Sequence, residues 1–214
     1  MLNELQRRVA GLMSGLPAAD DFALAGGAAL IVYGLVDRST RDLDYFATGS
    51  DAVAGLVPHW RRLCCATDSR SSDVVTHQGS CGWRSPTRHN RASWWTWLTT
   101  RGCSLPRPAS WDPPLHPAEL AADTMLALYG RAEGRDFHDV AALAHRYPTE
   151  RLLELAAAKD RGFDRRRFIE MLASIQRLRA ADFPDPQRAD ELRVWFEQWQ
   201  RELTRSLQHP GRER

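Results

Sequence analysis

The chain has 214 residues, 43% hydrophobic and 26% charged, with a formal net charge of +2. That balance suits one globular unit or two small packed subdomains and does not by itself announce a nucleic-acid partner. No apolar run reaches the roughly 18–20 residues that cross a bilayer, and the opening Met1–Arg8 stretch is amphipathic rather than signal-like, so a cytoplasmic protein without a membrane partner is expected.

Leu2, Leu5, Val9, Leu12, Met13 and Leu16 recur at helical spacing and predict a helix over 2–16. Phe22-Ala23-Leu24-Ala25 reads as a short strand ending at Gly26-Gly27, from which an apolar helix to Leu35 opens. Leu43–Ala47 reads as a second strand, and Asp51 is placed to cap a helix over 52–63. The second half is helical. Pro117 favours the first turn of a helix to about Arg131, and Arg135–Tyr147 forms the next, stopped by Pro148. Thr149 is expected to cap a third through Lys159, and Asp164 a fourth to about Ala180. The last helix carries Leu192, Trp195, Phe196, Trp199 and Leu203 on one face, a core stripe. Arg161, Arg165, Arg166, Arg167, Arg177 and Arg179 read as a solvated face.

Between these halves, 62–110 stands apart. It holds Cys64, Cys65, Cys81 and Cys103, four tryptophans and no clear periodicity. The cysteine spacing fits no zinc pattern, and the adjacent Cys64-Cys65 pair is a poor start for a disulfide framework.

Asp42 and Asp44 sit two apart at the start of a strand, so both carboxylates project to one face. Mg²⁺ takes hard oxygen ligands, usually one or two carboxylates plus substrate phosphates. Phosphoryl transfer depends mainly on positioning and on neutralising phosphate charge. A strand–Gly-Gly–helix turn adds bare backbone N–H groups facing an anion. Either signal alone is weak. The two together, with Arg38 and Thr40 just ahead of the aspartates, are far more specific.

Gly26-Gly27-Ala28-Ala29-Leu30 with Arg38-Ser39-Thr40-Arg41-Asp42-Leu43-Asp44-Tyr45-Phe46 resembles the AbiEii/AbiGii-type nucleotidyltransferase toxin family, a branch of the DNA polymerase β-like fold. A second block agrees: Leu115–Leu128, then Arg131, then Arg135-Asp136-Phe137-His138-Asp139. The resemblance spans 20–60 and 112–205. It implies an α+β fold in which a small mixed β-sheet nucleotidyltransferase core with an N-terminal helix (1–112) precedes a C-terminal helical bundle (113–214). It also implies Mg²⁺-dependent transfer of NMP from an NTP to an acceptor hydroxyl, tRNA in some relatives, within toxin–antitoxin or phage-defence systems that pair such a toxin with an antitoxin. Asp42 and Asp44 would be the catalytic metal ligands. Gly26, Gly27, Arg38, Thr40, Thr124, Arg131, Arg135 and Asp136 would serve the nucleotide. Arg135 and Asp136 also fit a capping and ion-pair role, Asp139 a local helix partner, and His138 a surface position.

The chain departs from this family twice. Thr124 stands where relatives carry a lysine, and threonine cannot neutralise phosphate charge. Relatives also carry a third acidic residue on a central strand between aliphatic neighbours, and Asp68 and Asp73 lack that setting. A non-catalytic nucleotide- or RNA-binding relative, or a decayed gene product, is therefore the competing reading.

The genetic code offers a reason for the second departure. Trp94-Trp95-Thr96-Trp97-Leu98 requires TGG TGG ACN TGG and a leucine codon. Read from the third base of Ser93, it spells aliphatic–Val–Asp–aliphatic–Ala/Val whatever codons are used. Gly79–Trp83 likewise shifts to a run permitting Phe-Val-Arg-Leu. Two compensating frameshifts, near 62 and near 107, would account for both; a genuine Trp/Cys-rich insertion is the rival reading. Resequencing the gene across 62–110 is expected to show them. An unshifted read together with an intact protein mass matching the 24.2 kDa of this sequence would reject a reading error.

Overall fold

The computed structural model describes residues 1–20, 22–47, 55–56, 59, 94–98 (backbone only) and 114–208. Asp51, Asp68, Asp73 and the four cysteines lie outside those residues. The chain divides into two compact units, Met1–Leu120 and Ala121–Arg214.

In the first unit, helix α1 runs Glu4–Ser14. Its start is fixed by a capping box: the Asn3 side chain accepts from the Gln6 amide, and the Gln6 side chain accepts from the Asn3 amide, each at 2.8 Å. Val9, Ala10 and Met13 form its buried face. Strand β1 is Phe22–Ala25 and helix α2 is Gly26–Val32. The helix therefore begins on the glycines themselves and stops short of Leu35. Gly34 ends it in the left-handed region, at φ 65°.

Strand β2, Leu43–Ala47, pairs antiparallel with β1, with Phe22 opposite Ala47 and Ala25 opposite Asp44. Strand β3, Trp94–Leu98, pairs antiparallel with β2 on its other side, giving the order β1-β2-β3. Two expectations change here. The sheet formed by the described strands is antiparallel rather than mixed, because the two-turn α2 and the loop after it return the chain beside β1 in the opposite direction. The segment 94–98, read as text without a strand pattern, is a strand. Backbone pairing needs no alternation of side chains, and tryptophan and threonine favour extended backbone. Of the helix expected over 52–63, Gly55, Leu56 and His59 are described, and all three are helical.

Helix α3, Pro117–Gly130, starts in the first unit and continues into the second. There follow α4 (Gly134–Ala144), α5 (Thr149–Lys159), α6 (Arg165–Ala173) and α7 (Ala189–Gln208). The core of the second unit is aromatic. Phe137 meets Phe196 edge-on at 4.9 Å between centroids, and Phe168 meets Trp199 at 5.4 Å. Leu192, Phe196, Trp199 and Leu203 are buried, as their helical spacing predicts, while Trp195 is half-buried. Asp164 caps α6 by accepting from the Arg167 amide at 2.8 Å. That helix gives way to a 3₁₀ turn at Ser174 rather than continuing to Ala180. Thr149 is the first helical residue of α5 and not its cap; Pro148 holds the cap position with its fixed backbone angle.

Gly134 is where two segments touch most closely. A Cβ there would overlap the carbonyl of Asp182, in a 3₁₀ turn whose Asp182 carboxylate accepts from the Arg179 amide and guanidinium. Hydrogen bonds from the Arg179 side chain and amide hold the Asp182 carboxyl below the usual carboxylate range. Gly134→Ala is expected to destabilise the protein by about 1–3 kcal/mol through overpacking against backbone. Gly130→Ala, where a Cβ meets nothing within 4 Å, should be neutral or stabilising by up to about 1 kcal/mol. Urea unfolding followed by tryptophan fluorescence measures both.

Candidate functional site

The antiparallel register between β1 and β2 sets the geometry of the first unit's polar cluster. Ala25, the last residue of β1, lies opposite Asp44. The next residue, Gly26, is therefore beside the Asp44 side chain. It adopts φ 57°, which side-chain-bearing residues rarely take, and a Cβ on it would collide with Asp44 Oδ2. Gly27 is equally committed. A Cβ there would stand 2.7 Å from Arg38 Nη2. The two glycines thus pack one against a carboxylate and the other against a guanidinium.

Burial alternates along the strand that carries the aspartates. Leu43 and Tyr45 are buried, whereas Asp42, Asp44 and Phe46 are intermediate. Asp44 therefore belongs to the face opposite the core, as a period of two requires, and Asp42 is the residue immediately before the strand. The loop entering the strand is internally bonded. Arg38 Nη1 donates to the Ser39 carbonyl at 2.9 Å, and Thr40 Oγ1 donates to the Asp42 carbonyl at 3.4 Å. Of the residues expected to form a site, Gly26, Gly27, Arg38, Thr40, Asp42 and Asp44 lie within this one β1–α2–β2 segment. Among the described residues no group of three or more histidine, cysteine, aspartate or glutamate side chains is arranged to hold a metal ion. Two hard carboxylates fit Mg²⁺, which completes its shell with water and phosphate oxygens.

Thr124, Arg131, Arg135 and Asp136 belong to the second unit. Thr124 is buried at 9% exposure. Asp136 is a structural keystone of the α3–α4 turn. It accepts Arg131 Nε and Nη2 at 2.9 and 2.7 Å and the Glu133 amide at 3.0 Å. Arg135 pairs with Glu133 at 2.9 Å, and Glu133 also lies 3.8 Å from Arg131, which links this pair to Arg131–Asp136. Ala132, between them, takes a positive φ of 52°. His138, expected at the surface, is only 5% exposed, with Nδ1 3.3 Å from the equally buried Asp139. Both face inward because α4 is buried over most of its circumference. The apolar period around them marks that face, and the two polar letters mask it.

The model of the family described as "Nucleotidyl transferase AbiEii toxin, Type IV TA system" matches residues 105–212, half of the chain. The chain belongs to the AbiEii nucleotidyl transferase toxin family. No curated protein and no solved structure matches it. The AbiEii match covers the α3–α7 helices, including Thr124, Arg131, Arg135 and Asp136. Its Type IV toxin–antitoxin description implies an antitoxin as partner. No helix among the described residues is long and apolar enough to cross a membrane.

The two glycines differ in what a methyl group would do. Gly26→Ala is expected to cost about 1–2 kcal/mol, since the left-handed backbone and the Asp44 carboxylate both oppose it. Gly27→Ala meets only the end of a flexible arginine and should change stability by less than about 0.5 kcal/mol. Urea midpoints at constant m-value test the contrast.

Proposed function

We propose that this AbiEii-family chain is a Mg²⁺-dependent nucleotidyltransferase that moves NMP from an NTP to an acceptor hydroxyl, with tRNA the leading candidate acceptor, in a cytoplasmic toxin–antitoxin system. The observation that carries the reading is the packing of Asp44 on Gly26 and of Arg38 on Gly27, within one strand–helix–strand segment of a family member. Anionic ligands need backbone without side chains at close approach, and both glycines supply it.

In this reading Asp42 and Asp44 hold the metal. Bound Mg²⁺ would neutralise charge on the triphosphate and help orient it. Gly26 and Gly27 would meet the triphosphate through the main-chain N–H groups at the start of α2, and Arg38 and Thr40 flank them. The family resemblance also assigns Thr124, Arg131 and Arg135 to the nucleotide; within the second unit Arg131 is held by Asp136 and Arg135 by Glu133. The acceptor hydroxyl forms a new bond to the α-phosphorus as the α–β bridging bond breaks, and pyrophosphate leaves. Positioning, more than acid–base chemistry, drives such a transfer.

Strand β3 bears on how much activity this chain retains. It pairs directly with the aspartate strand, with Trp97 opposite Asp44 and Thr96 opposite Tyr45. The Val–Asp–aliphatic run of the shifted frame falls on this same segment, so a frame-restored chain would carry a third carboxylate on the strand that pairs with β2.

Incubation of the chain with each labelled NTP, Mg²⁺ and total tRNA tests the reading. Transfer is expected, with a loss of at least about 100-fold in Asp42→Asn or Asp44→Asn, the scale of removing one transition-state charge contact. Transfer by a frame-restored version alone would identify this chain as a crippled enzyme. No transfer by either, with nucleotide still bound, would leave a non-catalytic nucleotide-binding relative. Thr124→Lys is expected to raise any measured rate by adding the phosphate-directed charge.

A further inference from the structure

The loop that delivers Asp42 is tied to the N-terminal segment at two points: the Met1 ammonium donates to the Arg38 carbonyl at 2.7 Å, and the Gln6 side chain of α1 reaches Thr40, nearer the carboxylates. Gln6 is only 4% exposed, although it is a polar residue on an otherwise amphipathic helix. Its two side-chain atoms face different partners. Oε1 accepts from the Asn3 amide at 2.8 Å and closes the capping box of α1. Nε2 donates to the Thr40 carbonyl at 2.9 Å, across 34 residues of sequence. Thr40 in turn donates from Oγ1 to the Asp42 carbonyl at 3.4 Å. A helix cap needs only the acceptor half of this amide. The donor half reaches the residue two positions ahead of the first metal-binding carboxylate.

We infer that Gln6 is a positioning residue for the carboxylate pair: it anchors the 38–42 loop to α1 and so sets the backbone from which Asp42 projects. The inference rests on the Asp42/Asp44 metal reading given above. Its physical basis is that water only partly replaces a half-buried amide–carbonyl bond when its donor on buried Gln6 is removed. A loop released at Thr40 samples more conformations, and two carboxylates must then be ordered at the moment a cation binds. Groups behind metal ligands are commonly worth 10- to 100-fold in affinity for this reason.

Gln6→Glu separates the two halves of the residue. Glutamate keeps the acceptor for the Asn3 amide and at neutral pH loses the donor to Thr40, setting a carboxylate against a carbonyl. Asn3→Ala is the converse control, since it removes the side-chain cap on the Gln6 amide and leaves the Gln6–Thr40 bond in place. The measurement is titration of the full-length chain with Mn²⁺ alone, read by water-proton relaxation, with melting temperature recorded for each variant. Gln6→Glu is expected to weaken Mn²⁺ binding about tenfold or more, and Asn3→Ala to lower the melting temperature while leaving Mn²⁺ affinity within about twofold of wild type. Equal Mn²⁺ affinity in wild type and Gln6→Glu, with binding abolished in Asp42→Asn, would overturn the inference and leave the metal reading standing. So would parallel losses in Gln6→Glu and Asn3→Ala, which would make the effect that of a weakened helix. Wild-type Mn²⁺ binding indistinguishable from Asp42→Asn would overturn the metal reading and the inference with it.

Discussion

The pairing of Ala25 with Asp44 across β1 and β2 is the constraint on which the first unit's polar cluster rests. A side-chain period of two leaves no freedom once that register is set: a slip of one residue would turn Asp44 into the core and Tyr45 out of it. Burial of Leu43, Tyr45, Leu24 and Phe22 holds the register. Hydrophobic burial therefore decides where a charged group stands. Because β1 ends at Ala25, the carboxylate meets the chain where it turns into α2, and only glycine tolerates both the backbone angle and the contact.

The same economy governs the second unit. Asp136 serves at once as the third helical residue of a capping box and as the partner of Arg131. Its side chain is almost fully buried, whereas Arg131 is 41% exposed. The buried partner accepts from three donors, which compensates its removal from water. The exposed partner keeps guanidinium surface toward solvent. A pair built this way combines a rigid anchor with an accessible cation, which suits a residue proposed to meet a nucleotide.

Anchoring from a distance recurs in the first unit. The 38–42 loop carries Arg38 and Thr40 and leads to Asp42, yet it is held by Met1 at Arg38 and by Gln6 of α1 at Thr40. Loops that present functional groups gain precision from rigid elements behind them, and α1 is rigid because its own N-terminus is capped and its apolar face is buried. The sequence separation between Gln6 and Thr40 hides this link. Nothing about glutamine at a helical third position distinguishes a simple cap from a cap that also holds a distant carbonyl.

Local patterns settled much of the protein before any coordinates. The Phe22–Ala25 and Leu43–Ala47 strands, helix α1, the Asp164 cap of α6 and the aromatic stripe of α7 are legible because propensity, capping chemistry and apolar period act over a few residues. The motif residues were legible for the same reason: glycine pairs and alternating aspartates announce their chemistry at short range. Tertiary structure decided what short range cannot. It made the described sheet antiparallel, brought Trp94–Leu98 to the edge of the aspartate strand, and buried His138 and Asp139 on a helix whose polar letters suggested solvent. It also set Asp44 against Gly26 and Gln6 against Thr40. Each of these depends on which distant segment covers a given face, and burial and register across a sheet are properties of the packed chain rather than of any stretch within it.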